Sequence, residues 1–282
     1  MNIFDITEEN RDELKGIIDE ETLMSIGREY YWGIAGTDED SRELKAALIW
    51  ELKGRDDEKR DTGSEIIAFM APNEKSGEEI LENYSDRAEY DSVKKSCFEF
   101  PELLNTELES MEKKGFELKE VESRDIFVTV GELNDLSFIG KKTPPYIKGL
   151  SDITEKQFKA GLMASVLHDR FGLLEDLPFL PISWYDMDIS SCIITDGKIN
   201  GLLLVHETAD AVLRVELLFA MQPDANINLL HMIRRSVKKA AELKDSNVRV
   251  LLRRHSKMTL ELVKKLFPDK KGEKAMRGKR DE

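Results

Sequence analysis

The stretch that decides the fold is SCIITDGKINGLLLVHETADAVLRVELLFAMQPDANINLLHMIRRSVKKAAELK, residues 191–244. Two short runs of strand-forming residues, Cys192–Thr195 and Gly201–His206, flank a predicted turn at Asp196–Asn200. They predict a β-hairpin, because apolar runs separated by Asp, Gly and Asn are typical of hairpins. The longer apolar run Ala211–Met221 then predicts a core strand.

A corner rich in Pro, Asp and Asn follows this strand at Gln222–Asn228, and a helix is predicted from about Leu229 to Leu243. The first turn of a helix has backbone N–H groups without partners, and the helix dipole is positive there. Folds that bind phosphate or other anions place the ligand at such a corner. The sequence therefore predicts a ligand site where the core strand passes into the helix.

Length and composition indicate a soluble globular protein. The chain has 282 residues, of which 40% are hydrophobic and 35% charged, and its length favours two domains. No run approaches the ~18 apolar residues of a membrane span, and the acidic start at Met1–Ile6 does not resemble a signal peptide. We expect a cytoplasmic protein with no membrane partner.

The net charge of −14 is unevenly distributed. Residues 231–282 carry 17 Lys and Arg against 7 Asp and Glu, whereas the preceding 230 residues carry 25 against 49. The acidic body argues against nucleic-acid binding. The basic end suits either a polyanion such as a coenzyme phosphate or a solvated helix face with a basic tail.

Cysteine and histidine usage predicts no metal site. Cys97 and Cys192 lie far apart on strand-like segments, where a buried, unpaired thiol is the usual state. The four histidines lie tens of residues from one another, without the short spacing of metal ligands.

The first half of the chain repeats the order of elements seen in the second. A helix is predicted from Thr7 to about Trp32, and a core strand, Glu65–Ala71, ends at Pro72-Asn73. Ser76 and Glu79 have the spacing of a capping box, which predicts a helix from Gly77 to about Glu89. The shared order indicates an internal duplication.

The predicted domains follow from this duplication. Residues 131–145 lose regular periodicity and end in Pro144-Pro145, which is typical of a semi-rigid linker. We expect an N-terminal domain at residues 1–140 and a C-terminal domain at 146–269. Residues 270–282 are predicted to form a basic, disordered tail.

The order of elements, with EIIAFMAPNEKSGEEIL at 65–81 and ELLFAMQPDANINLL at 216–230, resembles the GCN5-related N-acetyltransferase (GNAT) superfamily in a tandem arrangement. Met111–Phe116 is similar to the Y-E-K-x-G-F segment of that family, and Val263–Phe267 is a fainter copy. The resemblance implies an α+β fold. It would consist of two tandem GNAT-like domains, each a mixed, mostly antiparallel sheet flanked by helices.

The resemblance also implies acetyl-CoA as co-substrate, with its pyrophosphate at the corner between the fourth strand and the following helix. In the first half Glu78 and Glu79 would repel a phosphate, so we expect that domain not to bind. In the second half Arg234, Arg235, Lys238 and Lys239 make the following helix basic. The predicted coenzyme-binding residues are Met221, Gln222, Ala225, Asn226, Ile227 and Asn228.

A base for the acceptor amine is implied on the fourth strand, where Glu216 is the candidate and Glu65 is its first-half analogue. The alternative interpretation of Glu216 is a carboxylate on the solvated face, paired with Arg214 or another cation. The family's tyrosine acid is replaced by Met111 in the first half, and it would fall near Leu262 in the second.

Two further pairs in the second half have both a functional and a structural interpretation. His206-Glu207 would supply acid–base chemistry if it faced a cleft, but a histidine beside a turn is more often solvent-facing or bonded to backbone. Trp184-Tyr185 would line an acceptor pocket, or would pack a loop on the sheet.

Two functions are therefore predicted from the sequence. The first is a GNAT-like acyl-CoA-dependent N-acyltransferase that transfers acetyl from acetyl-CoA to an amine, either a small molecule or a peptide N-terminus. The second is a catalytically inactive tandem GNAT-like binding or interaction protein. The family's phosphate-binding loop contains glycines, whereas the first corner has only Gly77 and the second has no glycine. Formation of a homo-oligomer is left open.

Overall fold

The computed structural model of the chain describes residues 1–54, 62–168, 177, 179–221, 224–253 and 257–281. The chain divides into two compact units. Unit 1 consists of Met1–Ser123 and Glu273–Glu282, and unit 2 consists of Arg124–Gly272. Each unit contains one mixed sheet flanked by helices, which confirms the predicted α+β class.

Within the described residues, the strands in chain order are β1 (Asn2–Asp5), β2 (Tyr31–Thr37), β3 (Leu44–Gly54), β4 (Thr62–Met70), β5 (Val93–Phe100), β6 (Glu117–Glu122), β7 (Asp125–Thr129), β8 (Ile147–Gly149), β9 (Ser191–Thr195), β10 (Lys198–Glu207), β11 (Leu213–Ala220), β12 (Arg249–Arg253) and β13 (Lys274–Asp281). The α-helices are α1 (Glu20–Ser25), α2 (Glu74–Tyr90), α3 (Asn105–Lys113), α4 (Val130–Asn134), α5 (Glu155–His168), α6 (Ala225–Leu243) and α7 (Lys257–Leu266).

The two sheets share a plan. In unit 1 the strand order is β1-β2-β3-β4-β5-β13-β6, and in unit 2 it is β7-β12-β11-β10-β9-β8. Each sheet has one parallel pair, β4 with β5 and β11 with β12, and the other pairs are antiparallel. In both units a long helix, α2 or α6, connects the two parallel strands.

The chain passes from unit 1 to unit 2 and returns to unit 1 at its end. The last strand of the chain, β13, pairs with both β5 and β6 in unit 1. Strands β6 and β7 follow each other in the sequence, but β6 belongs to the sheet of unit 1 and β7 pairs with β12 in unit 2. The boundary between the units therefore falls between Ser123 and Arg124, ahead of the predicted linker at residues 131–145.

The prediction of a disordered tail at residues 270–282 is wrong, because Lys274–Asp281 form β13. Its apolar residues are few but well placed. Ala275 is buried and Met276 packs on the core of unit 1. Arg277 donates from Nε to the carboxylate of Glu99 at 3.0 Å, so charges on this strand are matched across the sheet.

The predicted helix from Thr7 to Trp32 is also wrong. The segment contains a 3₁₀ turn at Arg11–Leu14 and the short helix α1, and β2 begins at Tyr31. Two glycines interrupt the helical pattern, Gly16 with φ of 83° and Gly27 with φ of 97°. A continuous right-handed helix cannot pass through such backbone angles.

In the hairpin that opens the deciding stretch, β9 and β10 are joined by two residues only, so the predicted turn at Asp196–Asn200 was too long. Asp196 and Gly197 have φ of 52° and 74°. Positive φ at both positions is the type I′ arrangement that favours Asp-Gly in hairpins.

The sheet of unit 2 has a different apolar core on each face. Alternate residues of β10 divide between them, since Leu203 and Val205 face α6 while Leu202 and Leu204 face α5. Helix α5 packs there through Phe158 and Leu162. Helix α6 covers its face through residues at helical spacing, Leu229, Met232, Ile233, Val237 and Ala240.

A glycine in β13 tests the place of this strand in the sheet of unit 1. Gly278 lies opposite Phe98 of β5, and a Cβ at Gly278 would lie 2.1 Å from Cε1 of the Phe98 ring. That ring is buried and packs against Phe100 and Phe116, so it has no room to move aside. We expect Gly278→Ala to lower the free energy of unfolding by about 2 kcal/mol, as measured by urea denaturation.

Gly140→Ala is the matched control, because a Cβ there meets nothing within 4 Å. The control should stay within roughly 0.5 kcal/mol of the wild type. Equal free energies of unfolding for the two variants would contradict the close packing of Gly278 against the Phe98 ring.

Candidate functional site

The candidate site lies where β11 separates from its parallel neighbour. Strand β12 pairs with β11 only at Leu213↔Val250 and Arg214↔Leu251. In unit 1 the equivalent pairing of β4 with β5 ends at Ile66, which is the residue before the bulge in that sheet. Among the described residues, 215–220 of β11 therefore have no partner in β12, and the two strands leave a gap between them.

The backbone of β11 offers hydrogen-bonding groups to this gap. Met221 donates its backbone N–H to the carbonyl of Asn200 at 2.9 Å, on the β10 side. Successive residues of a strand direct their N–H and C=O groups to opposite edges. The backbone groups of Ala220 and Leu218 therefore point toward the gap.

Glu216, the predicted base, forms a β-bulge in β11. The pairing of β10 with β11 shifts between Leu204 and Val205, which leaves Glu216 as the extra residue. The pairing of β3 with β4 shifts in the same way and leaves Ile67 as its counterpart. Glu65 is therefore not the first-half analogue of Glu216, contrary to the sequence-based expectation.

The side chain of Glu216 is only 2% exposed, and its Oε1 accepts a hydrogen bond from Nε of Arg214. Within the described residues, its Oε2 is buried and has no hydrogen-bond partner. Pairing with Arg214 was the predicted alternative, but the pair is buried and does not lie on a solvated face. A buried carboxylate oxygen without a partner is unfavourable by itself, so it marks a place where a hydrogen-bond donor would be stabilised.

His206 and Trp184 adjoin this pair. His206 lies directly opposite Arg214 across β10 and β11, which places the two side chains on the same face. Its Nδ1 is 2.9 Å from the carbonyl oxygen of Trp184, and the two rings stack with centroids 4.5 Å apart. Since the carbonyl only accepts, Nδ1 carries the proton.

The structure therefore brings together residues from three candidate sites of the sequence analysis. They are Trp184, His206 and the pair of Arg214 and Glu216. Tyr185 is buried beside them against Phe158. Glu207 is different, because its carboxylate pairs with Lys244 at 2.5 Å with its side chain partly exposed. The predicted pair His206-Glu207 is thus divided between a buried residue and a surface ion pair.

The predicted coenzyme-binding residues lie around the start of α6. Asn226 is exposed, Ile227 is 54% exposed and Ala225 is buried. Asn228 accepts a hydrogen bond from the Tyr146 hydroxyl at 3.2 Å. Met221 is half-buried at the end of β11, and Gln222 lies outside the described residues.

The first turn of α6 contains no acidic residue, and the side chain of Asp224, at the N-cap, makes no capping hydrogen bond. The N–H groups of this turn are therefore not capped by Asp224. Its carboxylate is nonetheless an anion beside them, which disfavours a second anion.

The basic residues of α6 do not serve the site as expected. Nε of Arg234 donates to the carbonyl of Phe138 at 2.8 Å, and Arg235 donates to the carbonyls of Asp188 and Ser190. The other two are also engaged. Lys238 donates to the carbonyl of Lys141, and Lys239 pairs with Glu242. Three of these cations hold neighbouring loops and Lys239 pairs within α6, so they are not a free phosphate-binding surface.

Burial shifts the pKa values of Cys192 and His231 in unit 2. It raises the pKa of the Cys192 thiol to about 12, so this thiol stays protonated and inert at neutral pH, as expected of a buried cysteine. Burial and the adjacent Arg234 lower the pKa of His231. A neutral His231 is the form whose Nδ1 can accept from Arg234, at 2.9 Å.

The corresponding corner of unit 1 is closed by a side chain of its own. Oε1 of Glu107, in α3, accepts from the backbone N–H of Ala71 at 3.0 Å, and Oε2 accepts from the N–H of Leu104 at 2.8 Å. Counted from the two bulges, Ala71 is the counterpart of Ala220. In unit 2 the backbone N–H of Ala220 faces the gap, whereas in unit 1 the N–H of Ala71 donates to a buried carboxylate.

The cap of α2 also differs from the predicted one. Asn73 is the N-cap and accepts from the N–H of Ser76 at 3.0 Å, so the helix begins at Glu74 and the capping box of Ser76 and Glu79 is absent. Gly77 packs closely on α3, since a Cβ there would lie 2.3 Å from Oγ of Ser110. These contacts close the space between α2 and α3 at this corner.

Metal sites and membrane-spanning helices are absent from the part of the chain that the structure describes. No group of three or more His, Cys, Asp or Glu side chains there is arranged to hold a metal ion. No helix there combines the length and the hydropathy needed to cross a membrane.

No family model matches the sequence, and no curated protein matches it. Solved structures do match the fold. A tandem GNAT protein from the clavulanic acid biosynthesis pathway, determined without acetyl-CoA, has a TM-score of 0.58 at 8% identity, over 93% of this chain and 87% of its own. The chain has a tandem GNAT fold.

Two further structures agree. A conserved protein of unknown function from Enterococcus faecalis, described as a probable N-acyltransferase, has a TM-score of 0.54 at 11% identity, over 99% of this chain and 72% of its own. A GCN5-related N-acetyltransferase from Kribbella flavida has a TM-score of 0.53 at 12% identity, over 84% of this chain and 86% of its own. At such identities the likeness establishes the tandem GNAT fold alone.

Replacing Glu107 tests whether it holds the corner of unit 1. Glu107→Ala leaves the backbone N–H groups of Ala71 and Leu104 without their acceptor. We expect the free energy of unfolding to fall by roughly 2–4 kcal/mol, read from thermal or urea denaturation. Glu109→Ala, an exposed position on the same helix, should change it by less than about 0.5 kcal/mol, and similar losses in both variants would contradict this role for Glu107.

Proposed function

We propose that unit 2 binds the thioester arm of an acyl-coenzyme A, such as acetyl-CoA, along the open edge of β11 and transfers the acyl group to a primary amine. The observation that carries this proposal is the separation of β11 from β12 after Arg214, beside a buried carboxylate with an unpaired oxygen. The N-acyltransferase descriptions of proteins that share the fold support the same reaction class.

The open edge suits the thioester arm of the coenzyme. Amides and carbonyls of such an arm would pair with the backbone groups of Leu218 and Ala220, in the way that a neighbouring strand would. The first turn of α6 offers its N–H groups to the phosphates, with Asn226 and Ile227 at the exposed entrance. Asp224 and the missing glycines make this end of the site the weaker one.

Glu216 acts on the acceptor. The thioester supplies an acyl carbon that is already activated for attack by an amine nitrogen. Oε2 of Glu216 accepts an N–H of the amine, directly or through one water, and so orients the nitrogen toward the gap. As the N–C bond forms and the C–S bond breaks, the amine proton passes to Glu216 and from there, through water, to the leaving sulfur, so the coenzyme departs as a thiol.

A non-catalytic tandem GNAT-like binding protein is the second candidate. Two observations favour it. Arg214 already occupies one oxygen of Glu216, and the positions of the family's tyrosine are taken by Met111, fully buried in unit 1, and Leu262, packed on the core of unit 2. The two candidates differ in turnover, since only the enzyme releases coenzyme A in the presence of an amine.

Acetyl-CoA titration by calorimetry tests the site. We expect saturable binding to the wild-type chain. Asn226→Glu should weaken it by about tenfold, because a carboxylate in the first turn of α6 repels the phosphates. Lys75→Glu, at the same helical position in α2 and 88% exposed, is the matched control and should leave the affinity unchanged. Absence of binding to the wild-type chain, or loss of binding in the control, would refute the assignment.

Glu216→Gln tests catalysis separately from binding. It keeps the side-chain shape but removes the proton acceptor, so turnover with an acceptor amine should fall by about 10²-fold or more while the acetyl-CoA affinity stays the same. Glu242→Gln, a paired carboxylate on the exposed part of α6, should leave turnover unaltered. An active Glu216→Gln enzyme would mean that Glu216 is not the base.

A further inference from the structure

The two units differ in charge. Unit 1 carries 20 Lys and Arg against 37 Asp and Glu, whereas unit 2 carries 22 against 19. The acidity of the chain therefore lies in unit 1, and unit 2, which contains the candidate site, is slightly basic. A local surface of unit 2 is thus able to attract an anionic partner although the whole chain has a net charge of −14.

Basic side chains gather where the loop at residues 138–146 packs against α6. Arg234 donates to the carbonyl of Lys142 at 2.9 Å, and Lys238 donates to the carbonyl of Lys141 at 2.8 Å. Lys141 and Lys142 are themselves exposed on the loop. Together they form a basic surface that consists of Lys141, Lys142 and Lys238, with the buried Arg234 beside them.

The charges of the basic surface are not balanced by carboxylates. Carbonyl oxygens complete the hydrogen bonds of Arg234 and Lys238, but they carry no net charge. The loop at residues 138–146 contains no acidic residue, and the one acidic residue of α6, Glu242, pairs with Lys239. Among the described residues, none of the four cations forms an ion pair with a carboxylate. The surface therefore keeps its positive potential.

Exposed apolar groups border the basic surface at the start of α6. Tyr146, at the end of the loop, is 38% exposed, and its hydroxyl donates to Asn228 at 3.2 Å. Its ring lies edge-on to His231, with centroids 6.4 Å apart. Ile227 is 54% exposed and precedes His231 by one helical turn. Apolar side chains with charges around them are the usual composition of a protein–protein interface.

The basic surface begins at the entrance of the candidate site. Tyr146 reaches the first residues of α6 through Asn228, whereas Arg234 lies about 13 Å further along the helix and Lys238 about 20 Å. The surface thus extends away from the entrance along α6. A partner that passed a thioester arm to β11 would have its body on this surface.

The start of α6 suits one phosphate better than several. Coenzyme A carries a pyrophosphate and a terminal phosphate, and this much negative charge is disfavoured by Asp224 at the N-cap and by a corner without glycine. Acyl carrier proteins bear the same thioester arm. There it ends in a single phosphodiester, next to an acidic helix that is complementary to a basic surface.

We propose, on the basis of the function proposed above, that the preferred acyl donor is an acidic acyl carrier protein, which docks on the basic surface, Tyr146 and Ile227 while its arm lies along β11. The chemistry is the same as with the coenzyme. The C–S bond of the arm breaks as the N–C bond forms, and the carrier leaves with a free thiol that has taken up the amine proton. Free acetyl-CoA reaches the same arm site without the contacts to the surface.

The test measures Kd by calorimetry for three probes at physiological ionic strength. They are a bacterial fatty-acid acyl carrier protein with an acetylated arm, the same carrier without its arm, and acetyl-CoA. We expect the acetylated carrier to bind at least about tenfold more tightly than acetyl-CoA, because the contacts of its body add to those of its arm. The carrier without its arm should bind at least about tenfold more weakly than the acetylated carrier.

Lys141→Glu tests the surface. Its backbone carbonyl still accepts from Lys238, so the loop keeps its place. The variant should bind the acetylated carrier about fivefold more weakly. Its affinity for acetyl-CoA should stay the same, because this end of the surface is further from the start of α6 than the screening length of about 8 Å. Lys156→Glu, an exposed lysine on α5 and hence on the other face of the sheet, is the matched control and should leave both affinities unchanged.

The failures are distinguishable. This inference is overturned, with the proposed function intact, by an acetylated carrier that binds no more tightly than acetyl-CoA or than the carrier without its arm. Equal affinities of Lys141→Glu and Lys156→Glu for the acetylated carrier overturn it as well. Tighter binding of a single-stranded RNA oligonucleotide than of the carrier, lost in Lys141→Glu, would assign the surface to nucleic acid instead. Absence of acetyl-CoA binding overturns the proposed function and this inference with it.

Discussion

The backbone groups of a β-strand need hydrogen-bond partners on both edges, and in unit 2 the strand β11 leaves its parallel neighbour after Arg214. Much of the site follows from this divergence. It opens an edge at residues 215–220, and the bulge beside it turns Glu216 out of the regular alternation of the strand. The buried ion pair with Arg214 then lies next to the open edge.

The two units resolve the same divergence differently. In unit 1 the strands stay paired as far as Ile66, and Glu107 accepts from the amide of Ala71 beyond that point. The Glu107 carboxylate thus supplies the backbone N–H of Ala71 with a hydrogen-bond acceptor from within the protein. The contact of Gly77 with Ser110 closes the neighbouring space. In unit 2 the comparable amide faces an open gap. A tandem fold of this kind can therefore keep one half for stability and the other for binding.

The sequence was sufficient for the elements of the deciding stretch, because the hairpin, β11 and α6 have strong local patterns that tertiary contacts reinforce. The sequence was insufficient where an element's partners lie far away along the chain. Strand β13 has a charged sequence typical of a tail, and only its place between β5 and β6 makes it a strand. The basic residues of α6 looked available for phosphate, but Arg234, Arg235 and Lys238 bond to loop carbonyls that no local pattern reveals. The bulge at Glu216 depends on cross-strand register, and a strand's own sequence does not specify that register.

The central claim is that the open edge of β11 and the first turn of α6 hold the acyl-coenzyme A, and that the matching corner of unit 1 does not. Backbone hydrogen exchange with and without acetyl-CoA measures this directly. The account predicts slower exchange at residues 215–221 and 225–229 on adding acetyl-CoA, and no change at residues 67–77. Slower exchange at residues 67–77, or unchanged exchange at residues 215–221, would contradict it.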